Sequence, residues 1–208
     1  GNIPALSFLT DGRNTEKFKK RQPLYSEGGR PTRLMYLMSG KVKVYKVNED
    51  GKELVVRLCS EGDFLGYGPL LEGTNYRDSA EAMEDCEVAM IPKEDFMELI
   101  YGGKEVMEKF ISMLARDVRE HEQRLLGIAY NSLRKKVAES LISLHRKYNK
   151  EGVQFAISIS RENLAAIAGT ATESLIRTLG DFRDEKLIEI ADGKIAIINQ
   201  KKLEEMFN

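Results

Sequence analysis

The sequence predicts an α+β protein with an antiparallel β domain, a long helix and a C-terminal winged helix-turn-helix domain. Three observations predict this order. Short apolar segments alternate with glycine turns over residues 24–92, apolar residues then recur at helical spacing, and a helix–turn–helix–hairpin pattern follows Ser158. The three segments that we assign are residues 1–104, 105–130 and 131–208.

The first segment has the pattern of short, half-buried strands. Lys41–Val47 alternates polar and apolar residues, which predicts a strand with one buried face. The Asp50-Gly51 turn leads to a return strand at Leu54–Leu58, and Glu87–Ile91 is a last short strand. Strands of this length and spacing are typical of a small antiparallel barrel or sandwich.

The second segment has apolar residues at alternating spacings of three and four, with charged residues around them. The predicted seam consists of Met107, Ile111, Leu114, Val118, His121, Leu125 and Ile128. A narrow seam of this length predicts a partner helix, most simply in a parallel homodimer, although packing against its own domain is the alternative. His121 is the one polar seam residue. We interpret it as setting the register, and sensing of pH or ligand is the other interpretation.

The third segment begins with a predicted helix over residues 132–149 and a short strand over residues 154–159. Two short helices and a hairpin follow. Asp192-Gly193 joins two apolar strands, and such a two-residue loop is a strong hairpin signal. Helix, glycine turn, helix and hairpin together indicate a winged helix-turn-helix, whose second helix enters the major groove of DNA.

The two short helices have recognisable ends. Ser160 is the predicted N-cap of the first helix, which ends at Gly169. The second helix, about residues 170–181, begins with a predicted capping box made by Thr170 and Glu173.

Polar residues near the start of this second helix are suited to read bases. Glu173 and Arg177 are four residues apart and share one face. Arginine donates to guanine and glutamate accepts from cytosine, although Glu173 could serve as a cap and Arg177 could pair with it. Arg161 and Lys194 suit phosphate contacts, or are solvated charges. The candidate DNA-binding residues are Arg161, Thr170, Thr172, Glu173, Ser174, Arg177 and Lys194.

Composition excludes several other classes of protein. No apolar run approaches the roughly 20 residues of a membrane helix. Cys59, Cys86 and two distant histidines do not form a metal motif, and no catalytic motif is present, so we expect neither a metal centre nor an enzyme. The net charge is −1, but residues 131–208 carry 13 basic against 11 acidic residues, the sign expected of a nucleic-acid binder. A first residue other than Met suggests that an upstream segment preceded Gly1.

The chain resembles the CRP/FNR family of bacterial transcription regulators over nearly all of its length. Residues 159–169 and the Glu173-Ser174-Leu175-Ile176-Arg177 run are similar to that family's helix-turn-helix. Residues 40–44, 61–66 and 85–96 are similar to its cyclic-nucleotide-binding-type β-roll, a double-stranded β-helix. The resemblance implies a dimeric, cytoplasmic regulator that binds double-stranded DNA, with RNA polymerase as a further candidate partner. Thr172 stands where relatives often have Arg or Val, so the operator sequence is not transferred.

The resemblance also implies an effector pocket in the β-roll. Its candidate residues are Gly66, Tyr67, Tyr76, Arg77, Ser79, His121 and Glu122. Cyclic-nucleotide binders of the family have Glu and Arg where this chain has Tyr67 and Tyr76. A buried phosphate without a cation is disfavoured, so we expect cyclic AMP not to bind in the usual way. The alternative is a loop shift that reseats Arg77 and keeps the regulator responsive to cyclic nucleotides.

Other known inputs of the family are not supported by the sequence. The iron–sulfur branch uses an N-terminal cysteine cluster and haem sensing uses a histidine in the β-roll, and this sequence has neither. Three possibilities for its regulation remain: another small effector, control by an upstream domain, or no ligand at all. A cyclic-nucleotide-binding subunit that acts on a protein partner is a second hypothesis, but it would not need the winged helix.

Overall fold

The computed structural model describes residues 14–149 and 156–206. The chain divides into two compact units, and the division falls between His121 and Glu122. That boundary lies within the long helix that connects the β-rich region to the C-terminal region.

The first unit is built on two antiparallel sheets. Its strands are β1 (Thr15–Phe18), β2 (Pro23–Tyr25), β3 (Arg33–Ser39), β4 (Lys41–Val47), β5 (Glu53–Ser60), β6 (Phe64–Leu65), β7 (Ser79–Ala82) and β8 (Cys86–Pro92). The sheets have the orders β1-β8-β3-β6 and β2-β7-β4-β5. Buried Leu37, Val42 and Val88 come from both sheets and share one core. The predicted antiparallel β-roll is confirmed.

Strand β4 departs from the simple alternation of buried and exposed side chains. Lys43 is only 4% exposed, although its position in the sequence predicts the solvent face. Its ammonium nitrogen lies 2.7 Å from a Glu53 carboxylate oxygen and 3.4 Å from one of Glu81. Two neighbouring strands therefore compensate the charge that burial of this lysine would otherwise leave in the sheet.

Three helices belong wholly or partly to the first unit. They are α1 (Tyr67–Glu72), α2 (Lys93–Gly102) and α3 (Lys104–Tyr130). A second core forms where Phe110 of α3 packs edge-on against Phe96 and Phe64, with ring centroids 4.9 Å and 5.3 Å away. Val106 and Met113 of α3 are buried in the same core. The first half of the long helix is thereby anchored on its own unit.

The second unit carries the predicted helix-turn-helix and wing. Its elements are α4 (Leu133–Tyr148), β9 (Ala156–Ile157), α5 (Arg161–Ala168), α6 (Thr172–Asp184), β10 (Ile188–Ala191), β11 (Lys194–Ile197) and α7 (Gln200–Glu204). The sheet has the antiparallel order β10-β11-β9. Of the strand predicted over residues 154–159, residues 154 and 155 lie outside the described residues.

The hairpin turn has the predicted form. Ala191 pairs with Lys194, so that Asp192 and Gly193 alone make the turn. Both have positive φ, 50° and 75°, as a type I′ turn requires. None of the helices described is long and apolar enough to cross a membrane.

Candidate nucleic-acid interface and effector pocket

The helix-turn-helix begins with a capped helix and a glycine turn. The Ser160 hydroxyl accepts a hydrogen bond from the Asn163 backbone N–H at 3.1 Å, so Ser160 is the predicted N-cap of α5. Gly169 adopts φ 65° and donates its N–H to the Ala165 carbonyl. This left-handed residue ends α5 and redirects the chain toward α6, as the sequence predicts.

The capping box predicted for the second helix is wrong. Helix α6 begins at Thr172 and has Ala171 as its N-cap, without a side-chain hydrogen bond. The Thr170 N–H instead donates to the Ala165 carbonyl at 3.0 Å and helps to close the end of α5. Thr170 therefore belongs to the turn, and the helix runs from 172 to 184 rather than from about 170 to 181. Glu173 is left in the first turn of α6, where a carboxylate suits the helix dipole.

Helix α6 has one buried face and one exposed face. The buried side chains are Leu175, Thr178, Leu179 and Phe182. Glu173, Ile176 and Arg177 are exposed on another side. In the part of the chain that is described, Glu173 and Arg177 make no ion pair with each other. Both charged groups are thus available to an external partner while the rest of the helix is fixed by its packing.

The remaining predicted DNA-binding residues flank this face. Thr172 and Ser174 are half-buried in the first turn of α6, and the Ser174 carbonyl accepts a hydrogen bond from Thr178 at 3.0 Å. Lys194 is exposed beside the hairpin turn. Arg161 is half-buried at the start of α5, where its Nη1 is buried without a hydrogen-bond partner among residues 14–149 and 156–206.

Two arginines that the sequence reading missed hold the helix-turn-helix within the second unit. Arg124 Nη2 donates to the carbonyl of Ile167, near the end of α5, at 2.8 Å. Desolvation by burial lowers the pKa of this guanidinium. Arg134 Nη2 donates to both carboxylate oxygens of Glu185 at 2.8 and 2.9 Å, and the guanidinium lies 4.9 Å from the Phe182 ring centroid. Their partners lie 43 and 51 residues away in sequence, so no local signal could have identified them.

The predicted seam of α3 lies largely uncovered on the described chain. Ile111 is 57% exposed, Val118 56% and Leu125 66%, and Leu114 is exposed as well. Met107 and Ile128 are half-buried at the two ends, and His121 is exposed. The face that packs on the first unit is formed by Val106, Phe110 and Met113, and Met107 at the start of the seam also packs against that core. The long helix therefore has an apolar row that its own first unit does not use.

Inside the β-roll, Tyr76 occupies the space beside Gly66. Its ring is 6% exposed and stacks on Tyr25 with centroids 3.9 Å apart. A Cβ placed on Gly66 would lie 3.3 Å from this ring, and Gly66 has a φ of 78°. Burial raises the pKa of Tyr76 to about 12. The candidate pocket is thus lined here by aromatic surface rather than by the cation that a phosphate needs.

Tyr67 belongs to a charged cluster that includes Arg57, a residue that the sequence reading missed. Its hydroxyl hydrogen-bonds to the Asp117 carboxylate of α3. Arg57 donates to that carboxylate at 3.4 Å, to the Tyr67 hydroxyl at 3.3 Å and to the Phe64 carbonyl at 2.9 Å. Arg57 lies two residues before buried Cys59 on β5, so the period of two places both on one side of the strand, which was the available signal.

The other predicted pocket residues do not join this cluster. Arg77 is exposed, and its guanidinium pairs with Glu72 at 3.1 Å on the surface. Ser79 is half-buried at the start of β7, and its hydroxyl accepts a hydrogen bond from the Glu27 N–H at 2.9 Å. His121 and Glu122 are exposed on α3. Of the predicted pocket residues, Gly66 and Tyr76 lie side by side in the roll, whereas Tyr67 belongs to the second core against α3.

Two family models match the chain, one on each side of the long helix. Residues 15–101 match the model of the cyclic nucleotide-binding domain. Residues 135–206 match the model of the Crp-like helix-turn-helix domain. The matched ranges correspond to the two β-sheets with their first helices and to the helix-turn-helix with its wing.

Known proteins are similar to this chain over most of its length. The chain is 30% identical to the anaerobic regulatory protein of Bacillus subtilis over 87% of its length and 78% of the relative's. It is 27% identical to the cAMP-activated global transcriptional regulator CRP of Pasteurella multocida over 94% of both chains. The solved structure of FixK2 from Bradyrhizobium japonicum superposes with a TM-score of 0.84, at 21% identity, over 94% of this chain and 98% of that one.

Proposed function

The chain belongs to the CRP/FNR family of DNA-binding transcription regulators, and from that premise we propose that it binds a specific double-stranded DNA sequence as a homodimer through α6. The observation that carries this proposal is the exposed face of α6, on which Glu173 and Arg177 lie without pairing with each other. The opposite face of the helix is buried. A helix held in this way can present its first turns to base edges in a major groove without losing its own packing.

The proposed contacts divide into two kinds. Arg177 donates to a guanine and Glu173 accepts from a cytosine amino group, which gives sequence specificity. Arg161 and Lys194 contact phosphates and position the domain, with Thr170, Thr172 and Ser174 near the same backbone. One nitrogen of the Arg161 guanidinium is buried without a partner among the described residues, so the proposed phosphate contact requires this side chain to turn outward.

The proposed dimer forms along the uncovered row of α3. Pairing two copies of Ile111, Leu114, Val118 and Leu125 would remove this apolar surface from water, with His121 setting the register. A parallel pair presents two copies of α6, and dimeric helix-turn-helix proteins bind half-sites about 34 Å apart. In this account residues 1–104 form the sensor domain, 105–130 the dimerisation helix and 131–208 the DNA-binding domain. Such a regulator acts in the cytoplasm, as a binding protein rather than an enzyme.

We propose further that cyclic AMP does not bind this β-roll in the usual way. Aromatic rings of Tyr67 and Tyr76 occupy the positions where the family's nucleotide binders have their Glu and Arg. Arg57 is a cation near this interior, and its guanidinium already donates hydrogen bonds to Asp117, Tyr67 and Phe64. Arg77, the residue on which the alternative depends, pairs with Glu72 outside the roll and offers that alternative no support. Calorimetric titration with cyclic AMP and cyclic GMP should show no binding, and clear micromolar binding would contradict this part.

The DNA-binding proposal is tested by titrating fluorescent duplexes selected from genomic DNA. Arg177→Ala should weaken binding to the selected duplex by about 1–3 kcal/mol and relax the preference at one base pair, because a bidentate contact is lost. Arg183→Ala is the matched control. Arg183 lies at the C-terminal end of the same helix, where it pairs with Asp184, so its loss should not change the base preference. Equal affinity of wild type and Arg177→Ala for every duplex would refute the assignment of α6.

A further inference from the structure

We infer that Ile176 is a specificity-determining residue that contacts the 5-methyl group of a thymine in each half-site. The inference rests on the proposed function, because it needs α6 in a major groove. It adds an apolar contact to the polar contacts proposed for Glu173 and Arg177, and it names the base that this contact selects.

The position of Ile176 on α6 carries the first step. Residues three and four apart share a helix face, so Ile176 lies beside Arg177 and one turn below Glu173. The four buried residues of α6 lie on another face, and Ile176 is 53% exposed. The side chain therefore contributes to the surface that also displays the two proposed base-reading residues.

The surroundings of Ile176 carry the second step. Single exposed apolar residues are common on protein surfaces, and exposure alone would not distinguish this one. One turn further along the same face lies Gly180, where an added Cβ would meet nothing within 4 Å. The described chain thus leaves the surface next to Ile176 open at Gly180, and the positive charge of Arg177 beside it would attract a DNA duplex.

The chemistry of the major groove carries the third step. Base edges there present hydrogen-bond donors and acceptors, and the thymine methyl is the one apolar group among the four natural bases. An isoleucine side chain in a helix has one strongly preferred χ1 rotamer, so its methyl groups have a defined position. Ile176 can therefore favour thymine over cytosine, which presents a bare C5–H at the same place, by burying a methyl group rather than by hydrogen bonding.

The test removes only the methyl group. Thymines of a duplex that the wild-type protein selects are replaced one at a time by deoxyuridine, which keeps every hydrogen-bonding group. Wild-type affinity should fall about fourfold at one symmetric position, the factor expected for burying one methylene-sized apolar group. Ile176→Ala should bind the thymine and uracil duplexes equally at that position, and 5-methylcytosine should partly replace thymine for the wild type alone.

The control and the outcomes separate this inference from the proposed function. Ile198→Ala removes an equally exposed isoleucine outside α6 and should keep the wild-type response to uracil. Specific binding without any uracil effect, or an effect that persists in Ile176→Ala, overturns the role of Ile176 alone. Absence of specific DNA binding by the wild-type protein overturns the proposed function itself.

Discussion

Arg57 shows at the scale of one residue how the interior of the β-roll is held. Its guanidinium lies among the Asp117 carboxylate, the Tyr67 hydroxyl and the Phe64 carbonyl, and the Arg57 and Asp117 side chains are 19% and 17% exposed. Burial by itself opposes the charge, but Cys59, Tyr67 and Asp117 raise the pKa of Arg57 above its ordinary value. The cluster joins β5, α1 and α3, so it ties the β-roll to the long helix.

We predict that Arg57→Leu destabilises the protein by about 2–4 kcal/mol, because it leaves the Asp117 carboxylate partly buried without its cation. Urea unfolding measures this change. Arg77→Leu is the control, since Arg77 forms an exposed pair with Glu72 and its loss should cost less than about 1 kcal/mol. Equal costs for the two variants would contradict the structural role of the buried cluster.

The buried hydroxyl of Tyr76 gives a prediction about alkaline pH. Because burial raises its pKa from 10.0 to about 12, the unfolded chain ionises first as pH rises. The contribution of neutral Tyr76 to stability is therefore complete below pH 10 and is lost between pH 10 and about 12. Tyr76→Phe retains the ring that stacks on Tyr25 and should lose less stability than wild type across that interval, measured by urea unfolding at each pH. Parallel losses in both proteins would contradict this account.

Residue roles could be predicted from the sequence only where their partners are local. Glu173 and Arg177 share a helix face through their spacing alone, and the structure leaves both exposed. The role of Arg57 depends on Asp117, which is 60 residues away, and Arg134 depends on Glu185, which is 51 residues away. The period of two on β5 indicates the side on which Arg57 lies, but the pairings with Asp117 and Glu185 leave no trace in one sequence.

At the scale of elements, α6 begins without a side-chain cap. Ala171 has the extended backbone of an N-cap, φ −71° and ψ 146°, but its side chain cannot accept a hydrogen bond. We predict that Ala171→Ser stabilises the first turn of α6 by about 1 kcal/mol, because a serine hydroxyl would accept from a free backbone N–H. Amide hydrogen exchange in that turn should slow by about fivefold.

The neighbouring helix supplies the matched comparison. Ser160 already caps α5 through the Asn163 N–H, so Ser160→Ala should speed exchange in the first turn of α5 by a similar factor. Faster exchange in α6 of Ala171→Ser would show that the N-cap position has been assigned wrongly.

Elements with strong periodicity were predictable, and short elements between glycines were not. The long helix α3 follows from the helical spacing of its apolar residues, and the Asp192-Gly193 hairpin follows from turn chemistry between two apolar strands. Helix α1 was missed because it has six residues and contains Gly68 and Pro69, which are poor helix signals. The start of α6 was misplaced because a hydroxyl at 170 and a carboxylate at 173 imitate a capping box that the turn after Gly169 does not form.

At the scale of the whole molecule, the proposed recognition depends on a dimer that holds two copies of α6. A single α6 would contact few base pairs, whereas two copies on one dimer would double the contacts without a second loss of translational freedom. The apolar row of α3 is the surface that the described chain offers for this purpose. Both family regions and this helix were predictable from the sequence, but the burial of Tyr76 in the roll core and of Tyr67 against α3 required the structure.

Sedimentation of the protein with and without a selected palindromic duplex tests this central claim most directly. Wild type should sediment as a dimer and bind one duplex per two protomers. Val118→Lys should be a folded monomer with at least tenfold weaker specific binding, because a charge in the seam is desolvated on pairing. Tyr101→Lys, which changes an exposed aromatic of α2 outside the seam, should behave as wild type. A wild-type monomer that binds no duplex, or a Val118→Lys variant that dimerises and binds normally, would contradict the account.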